Sequence, residues 1–428
     1  MATTTIYDAN GNAIEVGGNV SSEEPMYGDI PRLFIDGDVF SSYGGSTPTV
    51  QYHYYSKTDS FSCYGTIKVQ GASTRSYPKK NFTLKFFSDS ALTTKYKVGF
   101  KNWGKRNKFV IKADWAEISH TRNICSANLW SDMIQTRSDY DSLPQGLLDS
   151  PNNGVIDGFM IVVFINGDYW GRYSLNISKD ENLWGMDETS NTNCAICGED
   201  YRKTVFQEYP SLINGNDWTD EIHDTCPASI VTSWNTVENF VRTSSDAQFM
   251  ANIGTYLSLP SLIDYYIFAY VSCAIDNLGR NMVFLTYDGT FWIASVYDLD
   301  LTWGATNGSI ANNPTVAMQS GYQSTINYAE GNKLFVRLEE LYATEIKARY
   351  AELRADILSV QHILEKFEKM LAPQSAELIA EDYASTTATT NTEGDFTNMP
   401  SVATNNIQQI RSFIRLRLAY VDTCINAL

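Results

Sequence analysis

Two hydrophobic periods follow one another along this chain, and no single kind of element can serve both. Short alternating segments rich in β-branched and aromatic residues stand at Leu33–Ile35, Val50–Tyr55, Tyr64–Val69, Phe82–Phe87 and Phe109–Lys112, the pattern of half-buried strands. A mainly antiparallel N-terminal sheet is the simplest arrangement of them. Val155–Ile165 is strongly apolar, and Asn166-Gly167 before Tyr169–Leu175 predicts a hairpin with a two-residue turn. Between these strands, from Ser119 to about Thr136, the residues Ile124, Ala127, Leu129, Trp130, Met133 and Ile134 recur at helical spacing. Ser119 is placed to cap that helix, which is expected to pack on the sheet. Helical spacing returns across Ile230–Val241, Leu262–Ala274, Leu334–Leu371 and Ile407–Ile425, the last two separated by a Thr/Asn/Ser-rich loop at 385–406. Strands early and helices late predict an α+β fold.

Composition narrows the function classes. With 43% hydrophobic and 13% aromatic residues, the chain is too apolar for disorder. Its 32 Lys and Arg against 49 Asp and Glu give a net charge of −17, which repels phosphate backbones and anionic leaflets. Neither a nucleic acid nor a membrane is expected as a partner. The start, Met1 to Asp8, has neither the basic opening nor the apolar run of an export signal, so the chain is expected to be cytoplasmic as synthesised. Its 7 cysteines are scattered and odd in number, which reads as mostly reduced, buried thiols.

The most informative segment is Cys273-Ala-Ile-Asp276-Asn-Leu-Gly-Arg280-Asn281, then a hairpin, then Tyr297-Asp298-Leu299-Asp300. A two-residue turn at Asp288-Gly289 would place Asn281 opposite Val296 and bring Asp276, Asn281 and Asp298 to the open end of that hairpin. Carboxylate and carboxamide oxygens suit Mg²⁺, which is usually held by one or two protein carboxylates together with substrate phosphates. The spacing is also that of protein kinases, where a base Asp is followed five positions on by a metal-binding Asn, then by a second metal-binding Asp. Ala274-Ile275 stands where His-Arg would precede the base. Helix-end and hairpin-end Asp and Asn are commonly caps and turn formers, which is the competing account.

A second segment is Gln70-Gly71-Ala72-Ser73-Thr74-Arg75-Ser76-Tyr77-Pro78-Lys79-Lys80-Asn81-Phe82. Small residues whose backbone N–H groups can meet phosphate oxygens lead into a lysine opening the next strand, as in a phosphate-covering lid. An ordinary turn with a solvated lysine pair would read the same way.

These segments, with Phe109-Val-Ile-Lys112, Arg122-Asn123, Val163-Phe-Ile-Asn166-Gly167, Gly171-Arg-Tyr173 and Trp292 through Gly304, resemble the spore-coat CotH kinase family of atypical, secretory-kinase-like protein kinases. The resemblance runs from about residue 60 to the C-terminus. It implies an atypical protein-kinase-like two-lobed fold, with an antiparallel N-lobe sheet and a mostly helical C-lobe, that binds ATP with Mg²⁺ or Mn²⁺ and phosphorylates protein Ser or Thr. On that basis residues 1–25 would be a polar arm, 26–186 the N-lobe, 187–231 a polar insertion and 232–428 the C-lobe carrying the metal-binding hairpin. Asp276 would be the catalytic base. Asn281 and Asp298 would hold metal with Asp300 as a further ligand, and Lys80, then Lys79, would contact phosphate beside Gly71 and Ser73.

Three positions depart from the family pattern: Gln70 replaces an Arg, Glu117 an Asp, and Ile177 a Glu. The last removes the lysine's usual carboxylate partner, for which Glu117 or Glu199 could substitute. The rival reading is a catalytically weak or inactive module of a spore surface or phage tail. Cys194-Ala-Ile-Cys197 with His223 and Cys226 offers four zinc-capable ligands. The acidic stretch between them, the missing knuckle glycines and a core that needs no staple argue against zinc. No Gly-x-Ser-x-Gly elbow accompanies the 4 histidines, so a hydrolase lacks its nucleophile.

Overall fold

The computed structural model describes residues 5–7, 13–15, 27–71, 73–115, 117, 119–199, 204–207, 211, 213–214, 217–305, 313–316, 331–388 and 407–428. Within the polar N-terminal stretch, β1 (Thr5–Tyr7) and β2 (Ala13–Glu15) pair antiparallel. Most of the 385–406 loop lies outside the described residues. The chain divides into two compact units and passes between them repeatedly. The first comprises 1–121, 157–178 and 368–402, the second 122–156, 179–367 and 403–428.

The first unit is built on β3 (Arg32–Gly37), β4 (Thr49–Tyr55), β5 (Ser60–Gln70), β6 (Asn81–Phe87), the short pair β7 (Val98–Gly99) and β8 (Lys105–Arg106), β9 (Lys108–Lys112), β10 (Gly158–Ile165) and β11 (Asp168–Ile177). Every predicted strand is present, but the sheet is not an open antiparallel one. It closes into a barrel in the order β10-β11-β9-β6-β5-β4-β3, its ends joined by a parallel pairing of β3 with β10. Closure removes the exposed edges that an open sheet would have to protect. Asn166 makes the join: with Gly167 it forms the predicted turn at φ 51° and 87°. Its side chain also accepts from the Gly37 N–H at 2.9 Å and donates to the Gly37 carbonyl at 3.1 Å.

Alternation places Phe82, Leu84 and Phe86 on one face of β6, all fully buried. Leu84 pairs with Phe109 on β9 and Ile67 on β5, giving cross-strand apolar pairs on the inner face. On the outside, Leu378 of the Ala376–Ala388 helix is buried against Tyr27, Ile30, Met160 and Val162. This contact seats the helix on the strands, and Asp382, one turn on, shares its inward face.

The second unit holds the four-stranded sheet β13-β12-β14-β15, made of β12 (Cys194–Gly198), β13 (Trp218–Asp220), β14 (Met282–Thr286) and β15 (Ile293–Val296). Its helices include Arg122–Gln135, Ala228–Thr243, Asp246–Tyr256, Leu259–Ser272 and Ile407–Ala427. Leu259–Ser272 is the central one, with every residue from Ser261 to Ser272 buried. Trp130 meets Tyr265 and Phe268 edge-on. The predicted helix near 119–136 therefore belongs to this unit and packs on another helix. It begins at Arg122. Ser119 is no cap: its hydroxyl is engaged by the Glu117 carboxylate and by Thr121 at 2.6 Å. The 334–371 region is three helices, Lys333–Leu341, Ala343–Ala355 and Val360–Leu371. No helix among the described residues is long and apolar enough to cross a membrane.

Candidate active site

In the second unit the central helix stops at Cys273, whose left-handed φ of 56° reverses the chain, and a short 3₁₀ turn at Asp276–Leu278 follows. The Asp276 carbonyl accepts from Arg280 N–H at 2.9 Å, and Asn281 N–H donates to Gly198 at 2.9 Å. The chain then enters β14, and Met282 faces Val296. The register expected from a two-residue turn is displaced by one residue. The Asp288 side chain accepts from the N–H groups of Thr290 and Phe291, and Gly289 N–H donates to Thr286 Oγ1; this wider Asx-type loop absorbs the extra residue.

The displacement sets Asn281 at the ladder end beside Tyr297, with Asp298 next in line. Asn281 and Asp298 both adopt left-handed backbone, at φ 55° and 52°, which Asn and Asp tolerate better than other side chains. These two corners turn the chain sharply at one end of the β14–β15 hairpin. Asn277 ties them together: its Nδ2 donates to Tyr297 O at 2.7 Å and reaches Asn281 O at 3.5 Å, while Tyr265 holds the Asn277 carbonyl. Beyond the corner, Leu299 N–H donates to Asn123 Oδ1 at 2.9 Å. Thr302 and Trp303 are pinned to Ser126. Asn277, Leu299, Thr302 and Trp303 are buried, whereas Asp276, Asn281, Asp298 and Asp300 are half-buried. A buried frame thus carries four half-buried residues with oxygen-bearing side chains, Asp276, Asn281, Asp298 and Asp300, at and beside one hairpin end. Asn123 and Asn277 were not singled out as site residues by sequence reasoning. Asn123 stood in a matched motif without an assigned task, and Asn277 lay unnoticed between two candidates.

The first unit carries the remaining candidates. Gly71 (φ 107°) opens the loop between β5 and β6, where a Cβ would sit 1.9 Å from Thr74 Oγ1. Ser73 begins the 3₁₀ turn Ser73–Ser76. Lys80 is half-buried, donating to the Arg75 carbonyl at 2.5 Å and lying 5.3 Å over the Tyr43 ring. Lys79 differs. It is buried, 4.8 Å over the Tyr173 ring, and its ammonium donates to the Arg172 carbonyl at 2.8 Å and to Asp382 Oδ1 at 3.0 Å. Its carboxylate partner is therefore Asp382, not Glu117 or Glu199; Glu199 accepts from Thr219 in the other unit. About 300 residues separate the pair in sequence, so no local pattern pointed to Asp382.

Asp382 is the hub of a buried network. Oδ1 also accepts from Arg172 N–H at 2.8 Å, and Oδ2 meets Arg172 Nε and His120 Nε2, both at 3.2 Å. His120 Nδ1 faces Asp114 Oδ2 at 3.2 Å, which Ser174 also reaches. Burial alone would raise the Asp382 carboxyl, but Lys79, His120 and Arg172 hold it well below the usual carboxylate range. Gly171 makes room: at φ +117°, its added Cβ would lie 2.5 Å from Asp382 Oδ1 and 2.7 Å from Lys79 Nζ. Gly171→Ala is expected to cost about 1–3 kcal/mol through backbone strain, with more from the displaced ion pair. Urea denaturation of both proteins measures it, and an unchanged midpoint would show that the network relaxes freely.

A known family matches most of the chain. The model described as CotH kinase protein matches residues 67–421. No curated protein matches the chain. The matched span covers the barrel strands from the end of β5 onward, the Lys79 network and the hairpin-end carboxylates alike, and the chain belongs to the CotH kinase protein family.

Proposed function

We propose that this protein transfers the γ-phosphoryl group of ATP to Ser or Thr side chains of protein substrates, in a divalent-metal-dependent reaction on a two-lobed kinase-like fold. The observation that carries this reading is the pair of left-handed corners, Asn281 and Asp298, at one hairpin end with Asp276 five residues before the first. ATP supplies the phosphoryl group, and Mg²⁺ or Mn²⁺ offsets the charge on its phosphates. Asp298 and Asn281 hold the metal, with Asp300 as a further oxygen donor. Asp276 orients the substrate hydroxyl and accepts its proton. Lys79 takes the phosphate-contacting role ahead of Lys80, because a buried carboxylate fixes its ammonium, as the conserved lysine of protein kinases is fixed by an acidic partner. Lys80, Gly71 and Ser73 line the loop beside it. The acidic surface favours basic or Ser-rich partner proteins.

Intact mass after incubation with ATP and Mg²⁺ or Mn²⁺, with a basic protein as acceptor, tests the reading. A phosphoryl mass gain on either protein that vanishes in Asp298→Ala is expected. ATP with metal at 100 times its dissociation constant should also stabilise the fold by about 2.7 kcal/mol. No gain and no stabilisation would move the assignment to a non-catalytic module of a spore surface or virion.

A further inference from the structure

The Cys-x-x-Cys of β12 does not act as a unit, and its failure to do so exposes a different cluster. Along a strand, residues three apart point to opposite faces, so Cys194 and Cys197 cannot share one ion. Ile196 lies opposite Asp220 in the β12–β13 ladder. Cys194, two residues before Ile196, therefore projects on the same face as Asp220. Cys226, at the start of the turn into the Ala228–Thr243 helix, returns to this spot. The two Sγ atoms and a carboxylate oxygen of Asp220 lie within 4.8 Å of one another. That spread is compatible with a single ion bound at about 2.3 Å from sulfur and about 2.0–2.2 Å from oxygen.

The surroundings are those of a built site. Asp220 Oδ1 accepts from the N–H groups of Ile222 and His223, at 2.9 and 3.1 Å, and Oδ2 faces His223 Nδ1 at 2.8 Å. The other ring nitrogen of His223 donates to the Ser190 carbonyl at 2.9 Å. His223 is thus committed on both sides and fixes Asp220, the role that carboxylates and imidazoles exchange around bound zinc. Cys194 is fully buried, while Cys226 is half-buried and leaves a route for an ion to enter.

We propose that Cys194, Cys226 and Asp220 bind one Zn²⁺, with solvent at the fourth position. Thiolate ligands select Zn²⁺ over the hard Mg²⁺ of the hairpin end. The ion clips β12 and β13 to the start of the Ala228–Thr243 helix and closes the loop from 194 to 226. β12 pairs with β14, and its Gly198 carbonyl receives the Asn281 N–H, so the clip steadies the strand against which that corner is built. Zinc is held by thiolates, so binding releases the thiol protons and affinity is lost as pH is lowered.

The test is the zinc content of the full chain, purified under reducing conditions, loaded with Zn²⁺ and desalted, with Co²⁺ loading as a spectroscopic check. The parent and Cys197→Ser are each expected to retain one zinc ion per chain and, with Co²⁺, to show thiolate charge-transfer and tetrahedral d–d bands. Cys226→Ser, whose half-buried position tolerates the change, should lose both signals while keeping its far-ultraviolet circular dichroism. A parent without retained metal would overturn the proposal, as would full retention by Cys226→Ser. So would a Cys194–Cys226 disulfide, seen as the loss of two hydrogens in the intact mass and placed by peptide mapping.

Discussion

Asp298→Ala is expected to abolish metal-dependent nucleotide binding, while Asp276→Ala leaves binding in place and lowers phosphoryl transfer by roughly 10²–10⁴-fold. The two carboxylates are carried by one hydrogen-bonded frame, and the proposed reaction gives them different tasks. Asp298 follows the β15 ladder end at φ 52°, and its neighbour Leu299 is held by Asn123; the corner cannot slide away to relieve a lost charge. Asp276 lies on the 3₁₀ turn, fixed through its backbone carbonyl, and is half-buried. Alanine at 298 also strains the left-handed backbone, so Asp298→Asn separates the effects: Asn keeps the conformation and removes the charge. Calorimetric titration with ATP and metal, beside single-turnover transfer, reads both properties. Transfer at the parent rate in both alanine variants would show that the site is elsewhere.

Much of the backbone placement of the candidate residues was legible because it is local. The interval from Asp276 to Asn281, the hairpin and Asp298 lie within 25 residues, and turn chemistry joins them without help from the rest of the chain. The register was misjudged by one residue for an equally local reason. The Asp288 carboxylate collects two backbone N–H groups and widens a loop that Asp-Gly would otherwise close tightly. The barrel strands were legible from their alternation, but the closure was not. It depends on a parallel pairing of β3 with β10, more than 100 residues apart, and period-2 patterning says nothing of partner or direction. The same holds for Ser119, which shows the composition of a cap and spends its hydroxyl on Glu117 and Thr121 instead. Zinc was argued against from the acidic stretch, the missing knuckle glycines and a core that needs no staple, and none of these bears on Asp220 beside Cys194 and Cys226. The geometry brings a carboxylate in place of Cys197.

Asp382→Leu is expected to cost about 3–5 kcal/mol of stability, the usual penalty for stripping one partner from a buried ion pair. The loss should exceed that of Lys79→Met, because the two changes leave unequal remainders. Without Lys79, Asp382 still accepts from Arg172 and His120. Without Asp382, Lys79 and Arg172 are buried together as two cations, and Lys79 keeps the Arg172 carbonyl and the face of the Tyr173 ring. Against a total of about 5–15 kcal/mol for a typical domain, this is a large fraction. Removing both charges in Lys79→Met/Asp382→Leu should recover part of the loss, since a buried pair replaced by apolar groups is often neutral. The pH dependence has a definite sign. Asp382 is held below its ordinary carboxylate range, so its contribution is fully present above that range and is lost as pH falls through its own lower value. Asp382→Asn should flatten that acid limb in urea titrations. Activity then separates structure from function: the double variant, though folded, should transfer no phosphoryl group and should bind ATP more weakly. A double variant that regains both stability and transfer would make Lys79 a structural ion-pair partner and return the phosphate role to Lys80.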